Sequence, residues 1–332
     1  MDNKQIILKK RPEGNPEEAN FEIQAIKTPE VEEGALLLKS VYISVDPYLR
    51  GRMRDEKSYI PPFEIGKPIE SSVIAEVLAS NNSEYNKGDY VHGMLPWKLI
   101  QVHSGNELQK VDKEQAPLSA YLGILGLTGI TAYVGLNKIG DLKKGETLLV
   151  SGASGAVGST VGQIGKIKGC HVVGIAGSDE KLTIMKEKFG FHSGINYKTT
   201  KDMNSAVKNA CPEGVDVYFD NVGGEILDAA LANINRYGRV INCGAISLYN
   251  ATETPKGPRH ETTLVKKSVK MQGFIVRDFK DDFESATKQL GSWLQSGELT
   301  YSETIKNGFD TLPSAFIGLF EGENKGKMVV KV

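Results

Sequence analysis

The stretch ETLLVSGASGAVGSTVGQIGKIKG, residues Glu146–Gly169, decides the fold. ETLLVSG is an apolar run of strand length, and AVGSTVGQIGKIKG continues as a helix built of small residues. Between them GASGAVGS (Gly152–Ser159) stands where a pyrophosphate-binding turn belongs. Gly155 would let the backbone approach phosphate, and Gly158 would let helix and strand pack closely. The N–H groups of Gly155, Ala156, Val157 and Gly158 would then face the anion at the positive end of the helix. Ala153 occupies the place of the opening glycine in GxGxxG, so the motif alone could also be a tight structural turn.

Its context argues for the nucleotide reading. Downstream, HVVGIA (171–176), GINY (194–197), VDVYFDNVGG (215–224), GRVINCGA (238–245) and VKMQGFIV (269–276) read as five more strands. Helical patterns in DEKLTIMKEKFG and EILDAALANIN separate some of them. Strands alternating with helices at this spacing predict an α/β doubly wound parallel sheet, a Rossmann fold. Upstream, the first ~115 residues hold short strand-like runs and turns with no long helix period. After a last helical pattern (DDFESATKQLGSWLQSG) the tail GKMVVKV reads as a strand that returns to the first domain. The expected division is a mostly-β substrate domain at 1–125, a nucleotide domain at 126–298, and a return at 299–332.

The segment AGSDEK (Ala176–Lys181) bears on the nucleotide's identity. The acid that binds the ribose of NAD belongs at the tip of the second strand, and that tip is Gly177. Asp179 and Glu180 fall in the first turn of a helix that Ser178 can cap, where the helix dipole alone explains them. Lys181 is mildly unfavourable there unless an anion compensates, and a ribose 2′-phosphate is such an anion. The reading is NADPH/NADP+; the competing one is a solvated lysine on the helix surface.

Composition bounds the remaining classes. Charged residues make up 24% of 332 and the formal net charge is −1, so no field draws nucleic acid or an anionic membrane. The three cysteines are far apart and make neither a disulfide framework nor a zinc spacing. The five histidines are scattered and the first domain has no cysteine, so no metal is expected and carbonyl chemistry by a Lewis acid is disfavoured. PLSAYLGILGLTGITAYVGL (Pro117–Leu136) reaches membrane-spanning length but carries four glycines; we read it as a buried helix at a domain junction. No signal peptide is evident, and the expected location is cytoplasmic.

Several blocks in order carry a resemblance: SVDPYLRGRM (44–53), GLTGITAY (126–133), SGAVGS (154–159), GSDEK (177–181), NYK (196–198), FDNVGG (219–224), CGAISLYN (243–250) and ENKGKMVV (323–330). Over nearly its full length the chain resembles the zinc-independent medium-chain dehydrogenase/reductase superfamily. More narrowly, it is similar to the leukotriene B4 12-hydroxydehydrogenase, prostaglandin reductase and alkenal double-bond reductase family. The resemblance implies a GroES-like first domain, a homodimer joined through the nucleotide-domain sheets, and NADPH-dependent reduction of a carbon–carbon double bond conjugated to a carbonyl in a small enone or enal. It implies that Lys181 and Tyr197 hold the 2′-phosphate and that Asn221 and Asn324 contact the dinucleotide. Cys243, Gly244, Ala245, Ile246 and Ser247 would line the cofactor after the fifth strand, with Phe274, Ile275 and Val276 after the sixth. Turn preference alone also accounts for Asn221 and Asn324, strand packing for Tyr197, and the core for Cys243.

Hydride addition to the β-carbon of an enone leaves negative charge on the carbonyl oxygen. Without metal, a phenol in a dry pocket can stabilise it, and Tyr249 is the first candidate. Tyr48 is a second aromatic that could approach the substrate. Arg50 and Arg52 would suit a carboxylate tail, though surface charge is the preferred reading. Thr128 stands where relatives often carry proline, and GMLPWKL (93–99) lacks the aromatics usual in the pocket. The alternatives are an NADPH:quinone oxidoreductase of the same superfamily and an NADPH-binding protein without chemistry.

Overall fold

The computed structural model describes residues 2–332, which divide into two compact units. The first comprises the chain up to Leu122, Glu303–Asn324 and Met328–Val332; the second comprises Gly123–Ser302 and Lys325–Lys327.

In the first unit, β1 (Asn3–Leu8) and β2 (Phe21–Ile26) form an antiparallel pair. β3 (Leu36–Ser44) follows, then the single turn α1 (Leu49–Arg52), β4 (Glu70–Ser80), β5 (Tyr90–Pro96), β6 (Ile100–His103) and β7 (Gln109–Val111). One core gathers Ile6, Leu36, Leu38, Val73, Val91 and Trp97, with the Trp97 indole donating to Ser71 Oγ at 2.8 Å. Arg50 and Arg52 belong to this interior, which corrects the surface reading: they are only 2% and 8% exposed. Arg50 donates to the carbonyls of Pro12 and Gly14, and burial lowers its pKa to about 10. Arg52 donates to Pro61 O and stacks 3.9 Å over the Phe63 ring. Arg52 spends its charge on the protein's own groups, whereas Arg50 bonds through Nη2 alone and keeps Nε and Nη1 buried without a hydrogen-bond partner.

The apolar stretch from Pro117 is not one helix. It breaks into a turn at Leu118–Leu122, α2 (Leu127–Val134) and a wider π-type turn at Gly135–Gly140. Gly129, inside α2, lets the preceding segment lie against the helix: a Cβ there would lie 1.9 Å from Ile124 O. No helix among the described residues is long and apolar enough to cross a membrane.

The second unit is built on β8 (Thr147–Ser151), α3 (Ala156–Ile167), β9 (His171–Ala176), α4 (Asp179–Glu187), β10 (Ser193–Asn196), α5 (Met203–Ala210), β11 (Val215–Asp220), α6 (Gly224–Ala232), β12 (Ile234–Asn242), α7 (Glu261–Lys267), β13 (Lys270–Gly273) and α8 (Phe283–Ser296). The sheet runs β10-β9-β8-β11-β12-β13, every pair parallel. Chain order reverses between β8 and β11, and nucleotides bind at such a switch point, beyond the carboxyl ends of the strands. The sequence pattern shows the six strands but not α5 or α7, which are runs of only eight and seven residues. β14 (Glu303–Asn307), α9 (Leu312–Glu321) and β15 (Lys327–Lys331) then complete the other unit's seven-stranded sheet, β15 pairing antiparallel with β3.

At the switch point lies a fully buried carboxylate, Asp220. Its Oδ1 accepts from Tyr218 Oη (2.8 Å), Gly223 N (2.8 Å), Val222 N (2.9 Å) and Ser151 Oγ (3.1 Å). Its backbone carbonyl accepts from the N–H groups of Cys243 and Gly244. One residue thus ties together the carboxyl ends of β8, β11 and β12. Burial and the Asp220 charge hold the Tyr218 phenol well above its ordinary pKa, so it stays a donor. Replacing Asp220 with alanine would strip an acceptor from several buried donors at once, and we expect a loss of about 3–5 kcal/mol in urea unfolding. A loss below about 1 kcal/mol would contradict this role.

Candidate active site

The turn after β8 follows from local sterics. Gly152, at φ +59°, makes the left-handed turn that the missing opening glycine would have made. Gly155 begins α3 in extended backbone, and its N–H donates to Gly152 O at 3.0 Å. A Cβ on Gly158 would sit 2.3 Å from Gly152 O, so only glycine lets the helix lie this close to the turn. Ala156 and Val157 form the first turn of α3, where backbone N–H groups lack intrahelical acceptors. The C-terminal segment docks here too: Gly326 N donates to Ser154 O at 2.8 Å.

The corner beyond β9 answers the question that AGSDEK raises. Gly177 has no side chain because Tyr197 uses the space; a Cβ there would come within 3.0 Å of the Tyr197 ring. Ser178 caps α4 through Lys181 N, as its position predicts. Both acids already have protein partners. Asp179 accepts from Asn196 Nδ2 at 2.7 Å, and Glu180 pairs with Lys325. Lys181 is half-buried. Burial, and then the ammonium groups of Lys198 and Lys325, hold its pKa below the ordinary lysine value, while Glu180 acts the other way. Three cations therefore share a corner whose strand tip has no carboxylate. Sequence reading singles out Lys181 and Tyr197 and passes over Lys198 and Lys325. Lys198 could have been found, since it follows Tyr197 directly; Lys325 lies 144 positions after Lys181 and carries no local signal.

Past β11 and β12 two loops close on each other. Asn221 donates through Nδ2 to Ser151 O at 2.7 Å, beside Gly152. Ile246 N and Ser247 N donate to the carbonyls of Asn221 and Val222, and Ser247 Oγ adds a bond to Val222 O. Cys243, Gly244 and Ala245 thereby run beside the Asn221–Gly223 turn. Burial and the Asp220 charge push the Cys243 thiol up to about 12, so it remains a neutral lining group. Tyr249 ends the helical turn Ile246–Leu248, and its hydroxyl accepts from Ala245 N at 3.3 Å. A side chain on Gly244 would meet that hydroxyl at 2.9 Å. Phe274 packs instead against Gly135 and Phe279, with Ile275 and Val276 beginning the turn that follows β13. Tyr48 and Asn324 belong to the first unit: Tyr48 is half-buried ahead of α1, and Asn324 lies between α9 and β15. Among the described residues, no group of three or more His, Cys, Asp or Glu side chains is placed to hold a metal.

These features can be set beside known proteins. Residues 4–111 match the family model described as the N-terminal domain of oxidoreductase, and residues 156–292 match the model described as zinc-binding dehydrogenase. A Bacillus subtilis (strain 168) protein, named provisionally as an NADP-dependent oxidoreductase, is 54% identical over 99% of this chain and 97% of its own. The NADPH-dependent curcumin reductase of Escherichia coli (strain K12) is 41% identical over 99% of this chain and 97% of that one. The NADP-dependent 2-alkenal reductase of Nicotiana tabacum is 42% identical over 100% and 98%. The crystal structure of CurA from Vibrio vulnificus, solved with NADPH, superposes with a TM-score of 0.95 at 41% identity, covering 99% of each chain. The chain therefore belongs to the zinc-independent medium-chain dehydrogenase/reductase family, among its NADP-dependent oxidoreductases acting on carbon–carbon double bonds.

Proposed function

We propose that this enzyme reduces the carbon–carbon double bond of α,β-unsaturated aldehydes and ketones with NADPH. The observation that carries the reaction is end-to-end similarity, at 41–42% identity, to proteins named for curcumin and 2-alkenal reduction. The residues present fit the cofactor. Gly155 and Gly158 let the turn after β8 and the start of α3 close on each other, where a Cβ would crowd Gly152 O, and Gly177 offers no acid to the ribose. Lys181, Lys198 and Tyr197 suit a 2′-phosphate, and the first turn of α3 suits a pyrophosphate. In this reading Asn221 and Cys243–Ser247 border the dinucleotide at the switch point, joined by Phe274–Val276.

When bound, NADPH supplies the hydride that saturates the β-carbon. The protein's task is then the negative charge that grows on the substrate's carbonyl oxygen. Tyr249 is our candidate donor: a phenol that accepts from Ala245 N–H still carries its own O–H. Removing such a donor typically lowers kcat about 10²–10³-fold. Tyr249→Phe should do so while the NADPH dissociation constant, read by fluorescence titration, stays within about twofold of wild type. A variant with wild-type kcat would remove Tyr249 from the mechanism.

Initial rates of NADPH and NADH oxidation, with a medium-chain 2-alkenal and with a 1,4-quinone, test the function itself. We expect turnover of the alkenal with NADPH and slow turnover with NADH. Turnover of quinone alone would make the enzyme a quinone reductase, and equal use of NADH would overturn the reading of the lysine corner. Absence of turnover with either acceptor would favour a binding role.

A homodimer is part of the same proposal. β13 is the sheet's last strand and carries Met271, 41% exposed, on a side with no neighbouring strand among the described residues. Light scattering should give twice the chain mass of 36.2 kDa. A monomer at micromolar concentration would contradict the pairing.

A further inference from the structure

The residue that this reading leaves unexplained is Lys325. It sits in the segment Lys325–Lys327, which belongs with the nucleotide unit although the chain on either side belongs to the other. The segment is held firmly. Gly326 N donates to Ser154 O at 2.8 Å, Lys327 N donates to Ser302 O at 2.9 Å, and Gly326 pairs with Gly155 as an isolated parallel bridge. At φ +76°, with Ser302 O only 1.8 Å from where its Cβ would be, position 326 admits only glycine. The backbone thus delivers the Lys325 side chain to the start of α4. There its ammonium meets Glu180 and acts on Lys181.

Glu180 lies one position before Lys181, on the turn that would face a ribose 2′-phosphate. Its carboxylate is 64% exposed, and the Lys325 side chain is 43% exposed. A solvated pair of this kind is held by little, typically under about 1 kcal/mol. A phosphate carries more charge and more acceptor oxygens than a carboxylate and is the stronger partner for an ammonium.

We infer that Lys325 is a third cation of the 2′-phosphate corner and that Glu180 competes with the phosphate for it, so that this pair sets how strongly NADPH is preferred over NADH. The inference rests on the NADPH reading and adds a residue contributed from near the end of the chain. Two substitutions should then act in opposite directions. Loss of the ammonium removes a partner from the phosphate, whereas loss of the Glu180 charge removes the competitor.

The test is isothermal titration of the full-length protein with adenosine 2′,5′-bisphosphate and with adenosine 5′-monophosphate. Lys325→Met should weaken the bisphosphate roughly tenfold, the worth of one charge-assisted contact, and leave the monophosphate where it was. Glu180→Gln should tighten the bisphosphate alone, and Lys325→Arg should restore most of what the methionine loses. If Lys325→Met leaves both affinities unchanged, the assignment is wrong. If it weakens both ligands equally, Lys325 only holds the loop and the specificity role is overturned. Wild-type protein that binds the two nucleotides equally would overturn the NADPH reading, and this inference with it.

Discussion

The buried carboxylate of Asp220 is the constraint on which the nucleotide unit turns. A charge taken out of water is tolerated only when hydrogen bonds replace its hydration. Here a phenol, a serine hydroxyl and two backbone N–H groups supply four of them to one oxygen. Because these donors come from β8, β11 and the turn after β11, satisfying the carboxylate sets where three segments stand. Ser151 passes the constraint on, since its Oγ also accepts from Asn221 N, and its backbone carbonyl takes the Asn221 side-chain amide. The loop after β12 then lies along the Asn221–Gly223 turn. The loops at the switch point are therefore held by the protein's own hydrogen bonds.

The same economy of side chains recurs where backbone must come close. Gly158 and Gly326 each stand where a single methyl group would strike a carbonyl oxygen, and Gly177 leaves room for the Tyr197 ring. The phosphate loop, the C-terminal segment and the corner beyond β9 are thus brought together by missing side chains as much as by attractive contacts. On the proposed reading the group left for chemistry is the Tyr249 phenol, with the Cys243 thiol a protonated neighbour. A phenol donor suits a reaction in which charge appears on an oxygen only briefly.

Much of this was legible in the sequence, for reasons that can be stated. Parallel strands buried on both faces leave near-continuous apolar runs, so β8, β9 and β11 stand out, whereas β10 and β13 at the sheet's edges are short and more exposed. The cap at Ser178 and the empty strand tip at Gly177 are local facts, readable within AGSDEK. What escaped depends on distance or on context. Lys325 reaches α4 only through the fold, and Asp220 reads as an ordinary acid at a strand end until four donors are seen to converge on it. Arg50 and Arg52 misled for the opposite reason. Arginine is rarely buried, yet these two satisfy loop carbonyls inside the first unit. The stretch from Pro117 is apolar throughout but continuously helical only from Leu127, where α2 runs directly into the π-type turn at Gly135–Gly140.

The central claim is that hydride goes to carbon β to the carbonyl and leaves the carbonyl itself intact. The most direct measurement is mass spectrometry of the product formed from a 2-alkenal and NADPH carrying deuterium at nicotinamide C4. The account predicts a saturated aldehyde with one deuterium on the β-carbon. An allylic alcohol with deuterium on the former carbonyl carbon would contradict it.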